Sequence, residues 1–147
     1  MATPPVELRN KRLLLDYQLP SQLGEIAKLA EAVEGVLPNR PDLAFTANLC
    51  LEELITNTIN YGLSGALDRV IRVRISLSDD WLEILLKDDA PPFDPFAEAP
   101  TPDLDLDIDE RPIGGLGVHM VKTMMDAAHA YYDGSGNLIV LLKTLRS

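Results

Sequence analysis

Glu53-Leu54-Ile55-Thr56-Asn57 sets a carboxylate and a carboxamide four residues apart, which on a helix is one turn along the same flank. Residues 41 to 61 around it have helical spacing. Leu43, Ala44, Ala47, Leu51, Leu54, Ile55 and Thr58 gather on one side of a wheel that advances about 100° per residue. Glu53 and Asn57 fall on the shoulder of that stripe, roughly 90–130° from its centre by the 3.6-residue period, and outside the core. A helix pressed to a sheet by its stripe can offer such a shoulder to a pocket. Taken alone, the pair is more simply a solvated flank, and Glu52 on the opposite shoulder is plain surface.

The elements on either side predict what that helix packs against. Residues 6 to 19, with Leu13, Leu14 and Leu15, read as a strand with an irregular beginning. Pro20-Ser21 supplies a break and a helix N-cap, and apolar residues from Leu23 to Leu37 recur at three and four. Pro41-Asp42 opens the second helix and Gly62 closes it as a C-cap. Residues 70 to 77 and 81 to 86 alternate around the turn Ser78-Asp79-Asp80, an antiparallel hairpin. A long loop comes next. After Gly117 a helix runs to about residue 127, and a last hairpin spans 128 to 145 around Asp133-Gly134-Ser135-Gly136. Hairpins with helices between them predict a single α+β domain over residues 1–147. Its architecture is a two-layer sandwich, a mixed, mainly antiparallel sheet covered on one face by helices.

The chain of 147 residues carries 13 basic and 23 acidic side chains, a formal charge of −10, which disfavours direct nucleic-acid binding because phosphates are repelled. Seven of the acidic side chains lie between residues 94 and 110, where there is no basic one. No apolar run approaches the roughly 20 residues of a membrane span, so no membrane is expected. A lone cysteine, Cys50, and the absence of a signal-like start make a cytoplasmic location the expectation. Two histidines and one cysteine offer no zinc-type ligand set.

The polar residues fit a magnesium-nucleotide site. Magnesium takes one or two protein oxygens and fills its shell with water and phosphate, so Asn57 alone could supply its ligand without adding charge. Glu53 could then take a proton from a hydroxyl or water attacking the γ-phosphate. Asp88 ends an apolar strand, where a carboxylate can accept from an exocyclic amine such as adenine's; from that segment alone a turn aspartate is the simpler reading. Gly114-Gly115-Leu116-Gly117 opens a helix, the backbone arrangement that accepts phosphate, and serves equally as a hinge. His119 reads as surface or packing.

In this order and spacing the blocks resemble the GHKL ATPase superfamily, and more closely its small stand-alone branch, the anti-sigma-factor serine kinases, over about residues 8 to 145. Glu53-x-x-x-Asn57 matches the N-box, residues 88 to 95 (Asp-Asp-Ala-Pro-Pro-Phe-Asp-Pro) look like the first glycine box, and Gly115-x-Gly117 with Gly114 looks like the second. The resemblance implies ATP and Mg2+ as cofactors, Glu53 as general base, Asn57 as magnesium ligand, Asp88 as adenine contact and Ala90 beneath the base. It implies an ATP lid at residues 96 to 113, with Gly115 and Gly117 against the phosphates. It also implies a homodimer that phosphorylates a STAS-type anti-anti-sigma protein and sequesters a sigma factor.

Two departures stand out. The first glycine box usually reads Asp-x-Gly-x-Gly, whereas Ala90 and Pro92 stand here, so that loop must take another conformation. In the lid, Asp103, Asp105, Asp107 and Asp109 alternate with Leu104, Leu106 and Ile108, a pattern suited to an extended strand that meets a basic protein surface. The leading reading is a Mg-ATP-dependent serine/threonine kinase. Its alternatives are a nucleotide-sensing or nucleotide-free binding module and, third, the catalytic domain of a sensor histidine kinase.

Overall fold

A computed structural model describes residues 7–98 and 115–146. Five strands, β1 (Arg12–Pro20), β2 (Val70–Leu77), β3 (Trp81–Lys87), β4 (Ala127–Tyr132) and β5 (Asn137–Thr144), form one sheet in the order β1-β2-β3-β5-β4. All four pairings are antiparallel, so the sheet expected to be mixed or mainly antiparallel is antiparallel throughout the described strands. Its helices are α1 (Ile26–Val36), α2 (Pro41–Asn57), a single turn α3 (Pro95–Glu98) and α4 (Gly115–Met124).

The pleat sorts each strand into two faces. Across the sheet, Tyr17, Val73, Leu86, Ile139 and Ala130 line up in one row and Leu15, Ile75, Ile84, Leu141 and Ala128 in the next. Both rows pack with Leu29 and Val33 of α1, Leu51, Leu54 and Ile55 of α2 and Val121 of α4 into one apolar cluster. The helices therefore cover one face, as the sequence predicts, and α2 lies at the centre of that layer.

Local chemistry moves several expected boundaries. The first strand begins at Arg12, with a register shift between Leu13 and Leu15. Ser21 does not cap a helix: the chain enters α1 through a 3-10 turn at Leu23–Glu25 whose N-cap is Gln22, without a side-chain cap bond. Buried Ser21 instead donates to the Ala66 carbonyl at 2.7 Å and accepts from the Arg69 amide at 3.1 Å, tying the start of α1 to the loop that feeds β2. Gly62 is not the C-cap of α2. The α-helical pattern stops at Asn57 and widens into a π-helical turn over Thr58–Gly62, and the positive φ values come later, at Ser64 (52°) and Gly65 (78°). After Gly117 the expected helix is present, but it starts earlier, at Gly115, and ends at Met124.

On the face away from the helices, Glu83 stands between Ser76 and Leu142 and is almost fully buried. Lys11, just before β1, places Nζ 2.8 Å from Glu83 Oε1, off the hydrogen-bonding direction, so the contact is an ion pair without a formed hydrogen bond. A carboxylate left buried without its cation is costly. Lys11→Met is expected to lower unfolding free energy in urea titrations by about 1–3 kcal/mol, and adding Glu83→Gln should return most of that loss.

Candidate active site

Glu53 and Asn57 keep the one-turn spacing on α2, but they are not equally placed. Glu53 is half-buried, whereas Asn57 is only 5% exposed, deeper than a helix shoulder predicts. The chain widens into a π-helical turn directly after Asn57, and Thr58 and Ile59 are buried beside it. Facing this flank is the start of α4. A Cβ built on Gly117 would overlap the Oε2 and Cδ atoms of Glu53, so the bare glycine lies directly against the carboxylate. Two sequence blocks sixty-odd residues apart are thus in contact. Gly117 belongs to the first turn of α4, and its φ is not positive; its glycine identity answers a demand for space, not for an unusual backbone.

Asp88, just past the end of β3, is 8% exposed; it makes the bond of a turn aspartate, to the amide two residues on, and adds a longer-range one. Its Oδ1 accepts from the Ala90 amide at 2.9 Å and from Asn137 Nδ2 at 2.9 Å, with the Asn137 amide more distant at 3.4 Å. Asn137 opens β5, and its backbone carbonyl accepts from the Asp88 amide at 3.1 Å. Next to it, a Cβ on Gly136 would overlap the Asp88 carbonyl, so the two strand ends approach as closely as glycine allows. Ala90 is 2% exposed, and neither it nor Pro92 has positive φ. The loop folds back far enough for Phe93 to rest against Gly62 at the end of the π-helical turn. That contact joins the Asp88 loop to the Asn57 side of the site.

The nearby charges are mostly spoken for. A cavity of about 470 Å³ touches Asp88 and is lined by Arg69, Arg72 and Lys87. Each of these cations is already paired, with Asp89, Asp16 and Asp133 respectively, so the cavity does not offer a free phosphate seat. The Arg72 guanidinium holds the Asp16 carboxyl down at about 2, and Lys87 with Ser135 holds Asp133 well below the usual carboxylate range. Among the described residues no cluster of histidine, cysteine, aspartate and glutamate is suited to a metal, and no helix is long and apolar enough to cross a membrane. Cys50 is sealed in the core behind Glu53; burial pushes its thiol up to about 11, with Lys143 opposing and Glu53 reinforcing the shift. Gly114, most of the segment expected to form the lid and the alternating aspartates lie outside the described residues.

An antiparallel sheet under helices, with an acidic residue one turn before an asparagine on α2 and a glycine helix start against the acid, agrees with the family-level comparison. Residues 18–143 match the family model described as the histidine kinase-like ATPase domain. The chain belongs to this family. Within it, the chain is 32% identical over 136 residues to a serine-protein kinase RsbW of Listeria monocytogenes serovar 1/2a, covering 88% of this chain and 85% of that protein. The corresponding protein of Listeria innocua serovar 6a is 31% identical over the same extent. Membership implies ATP binding at the family level.

Sequence reasoning missed Asn137 and Gly136, although the turn they close is plain in the sequence. An asparagine after a glycine is ordinary turn chemistry, and only its bonds to residues 44 to 49 positions away reveal more. The two crowded glycines also differ in what crowds them. At Gly117 the obstacle is a flexible side chain, and alanine is the better helix former by about 1 kcal/mol. At Gly136 the obstacle is backbone, for which overpacking costs about 1–3 kcal/mol. Gly117→Ala is expected to leave the thermal midpoint unchanged or raised while abolishing nucleotide turnover; Gly136→Ala should lower both. Cys50 should resist a thiol-specific reagent in the native state at pH 8 and react once per chain in denaturant; fast native labelling would contradict its burial.

Proposed function

We propose that this chain is a Mg-ATP-dependent serine/threonine protein kinase that acts as an anti-sigma regulatory factor. It phosphorylates a STAS-type anti-anti-sigma partner and, as a homodimer, holds a sigma factor. The observation that carries this reading is the contact of Gly117 with the Glu53 carboxylate: it puts a base beside the helix start that would receive phosphate. The serine-protein kinases it resembles over most of their length supply the reaction class.

In this reading the residues divide the work. Asp88 takes the exocyclic amine of adenine, and buried Ala90 forms the floor beside it. Gly115 and Gly117, with Gly114, would lie against the triphosphate at the α4 N-terminus, where unpaired amides and the helix dipole favour anions. The donor set suits a hard cation: Asn57 offers a neutral oxygen one turn from a carboxylate, and Asn57 is the residue that would hold magnesium. Magnesium, when bound, neutralises charge on the β- and γ-phosphate oxygens. Glu53 accepts the proton of the substrate hydroxyl as that oxygen bonds to the γ-phosphorus and the bridging oxygen departs with ADP. Phosphoryl transfer asks mainly for positioning and electrostatics, and a half-buried carboxylate held by α2 and α4 is well placed for the single proton transfer.

The Ala90–Pro92 loop, which lacks the glycines of its relatives' pattern, favours one competing reading: a module that binds nucleotide or partner without transferring phosphate. Calorimetric titration with Mg-ATP separates the two, followed by phosphotransfer to a STAS-domain protein. Glu53→Gln is expected to keep ATP affinity within a fewfold and to slow transfer by about 10²–10⁴-fold. Transfer that survives the substitution would remove Glu53 from the role of base; binding without any transfer would leave the binding module.

A further inference from the structure

The carboxamide of Asn137 is engaged through both its nitrogen and its oxygen within one loop. Its Nδ2 donates to Asp88 Oδ1 at 2.9 Å and to the Pro91 carbonyl at 3.0 Å, with the Ala90 carbonyl at 3.5 Å; its Oδ1 accepts from the Phe93 amide at 2.8 Å. The orientation of the amide is set by its partners, since a backbone N–H needs an acceptor and a carboxylate needs a donor. Asn137 itself is 3% exposed. A side chain on β5 thus clasps the loop after β3 from Asp88 to Phe93, where Ala90 and Pro92 replace the glycines.

The clasp also sorts the two oxygens of Asp88. Among the described residues every side-chain hydrogen bond that Asp88 accepts ends on Oδ1, from the Ala90 amide and from Asn137. Oδ2 is left for a ligand, and a carboxylate oxygen accepts only from a donor. A 6-amino group satisfies it, whereas the 6-carbonyl of guanine meets it acceptor to acceptor. A site whose buried acceptor is left unpaired rejects the wrong ligand more strongly than a missing apolar contact does.

We infer that Asn137 is the positioning residue that fixes Asp88 with Oδ2 turned toward the ligand, and that it thereby sets the preference of this site for 6-aminopurine nucleotides. The inference rests on the proposed ATP site. Asn137 does not touch the nucleotide in this scheme; it acts through Asp88 and the loop it closes.

The test compares ligands that differ only at the purine 6-position. Full-length chain and Asn137→Ala are titrated, by competition with a fluorescent ATP analogue in the presence of magnesium, with ATP, GTP and purine riboside triphosphate, which lacks the 6-amino group. The substitution should weaken ATP by about tenfold, one charge-assisted hydrogen bond's worth, and change purine riboside triphosphate by less than about twofold. Its ATP-over-GTP preference should fall by a similar factor. Equal weakening of all three ligands would mark Asn137 as merely structural and overturn the inference, as would unchanged ATP affinity. Should Asn137→Ala fail to fold, Asn137→Ser keeps a small neutral hydroxyl in the cluster but is too short to hold both the loop and Asp88. It should show the same loss confined to ATP. If the unsubstituted chain binds no Mg-ATP, the proposed function falls and this inference with it; if it binds and the substitutions are silent, the inference falls alone.

Discussion

Helix α2 has one way to lie on the sheet, and the aim of Glu53 and Asn57 depends on it. Ala47, Leu51, Leu54 and Ile55 are fully or nearly fully removed from solvent, wedged between the apolar rows of β2, β3 and β5 and the neighbouring helices. Burial of such side chains contributes about 1.5–3 kcal/mol each, so rotating the helix to re-aim Glu53 would forfeit more than any one polar contact could return. The azimuth of Glu53 is in this sense a by-product of the core. Small groups on the facing helix then set how close α4 comes, and Gly117 closes the gap completely.

The second half of the site is organised on a different principle. Around Asp88, Ala90 is anchored in the core, while hydrogen bonds close the rest of the loop: the Asn137 carboxamide spans it and Gly136 lets the strand ends meet. Proline at 91 and 92 limits the conformations available to the unfolded loop, which lowers the entropic cost of closing it. Apolar packing thus locates the carboxylate of α2, and polar closure locates that of β3. The contact of Phe93 with Gly62 couples the two.

How much of this could be read in the sequence depends on range. The β2–β3 hairpin and the stripe of α2 were legible because their periodicity is a local consequence of burying one face. Glu53, Asn57 and Asp88 could be singled out by residue type and spacing, and the structure brings Glu53 together with Gly117. What failed was punctuation whose partner lies elsewhere. Ser21 looks like a helix cap until Ala66 and Arg69 claim its hydroxyl, and Gly62 looks like a C-cap until the helix widens into a π-helical turn after Asn57. Asn137 carried no local signal, since its meaning comes from Asp88, 49 residues away. The parallel component allowed for the sheet was also unneeded, because both hairpins and the β3–β5 pair run antiparallel.

The two crowded glycines have different evolutionary prospects. At Gly136 any side chain collides with main chain, so folding and chemistry demand the same residue and selection has nothing to trade. At Gly117 the nearest obstacle is the Glu53 side chain, while helix propensity favours substitution. Proteins often hold such positions against their own stability for the sake of activity. If the proposed phosphoryl transfer is what holds Gly117 in place, a lineage released from it would be expected to lose this glycine first and to gain a sturdier domain.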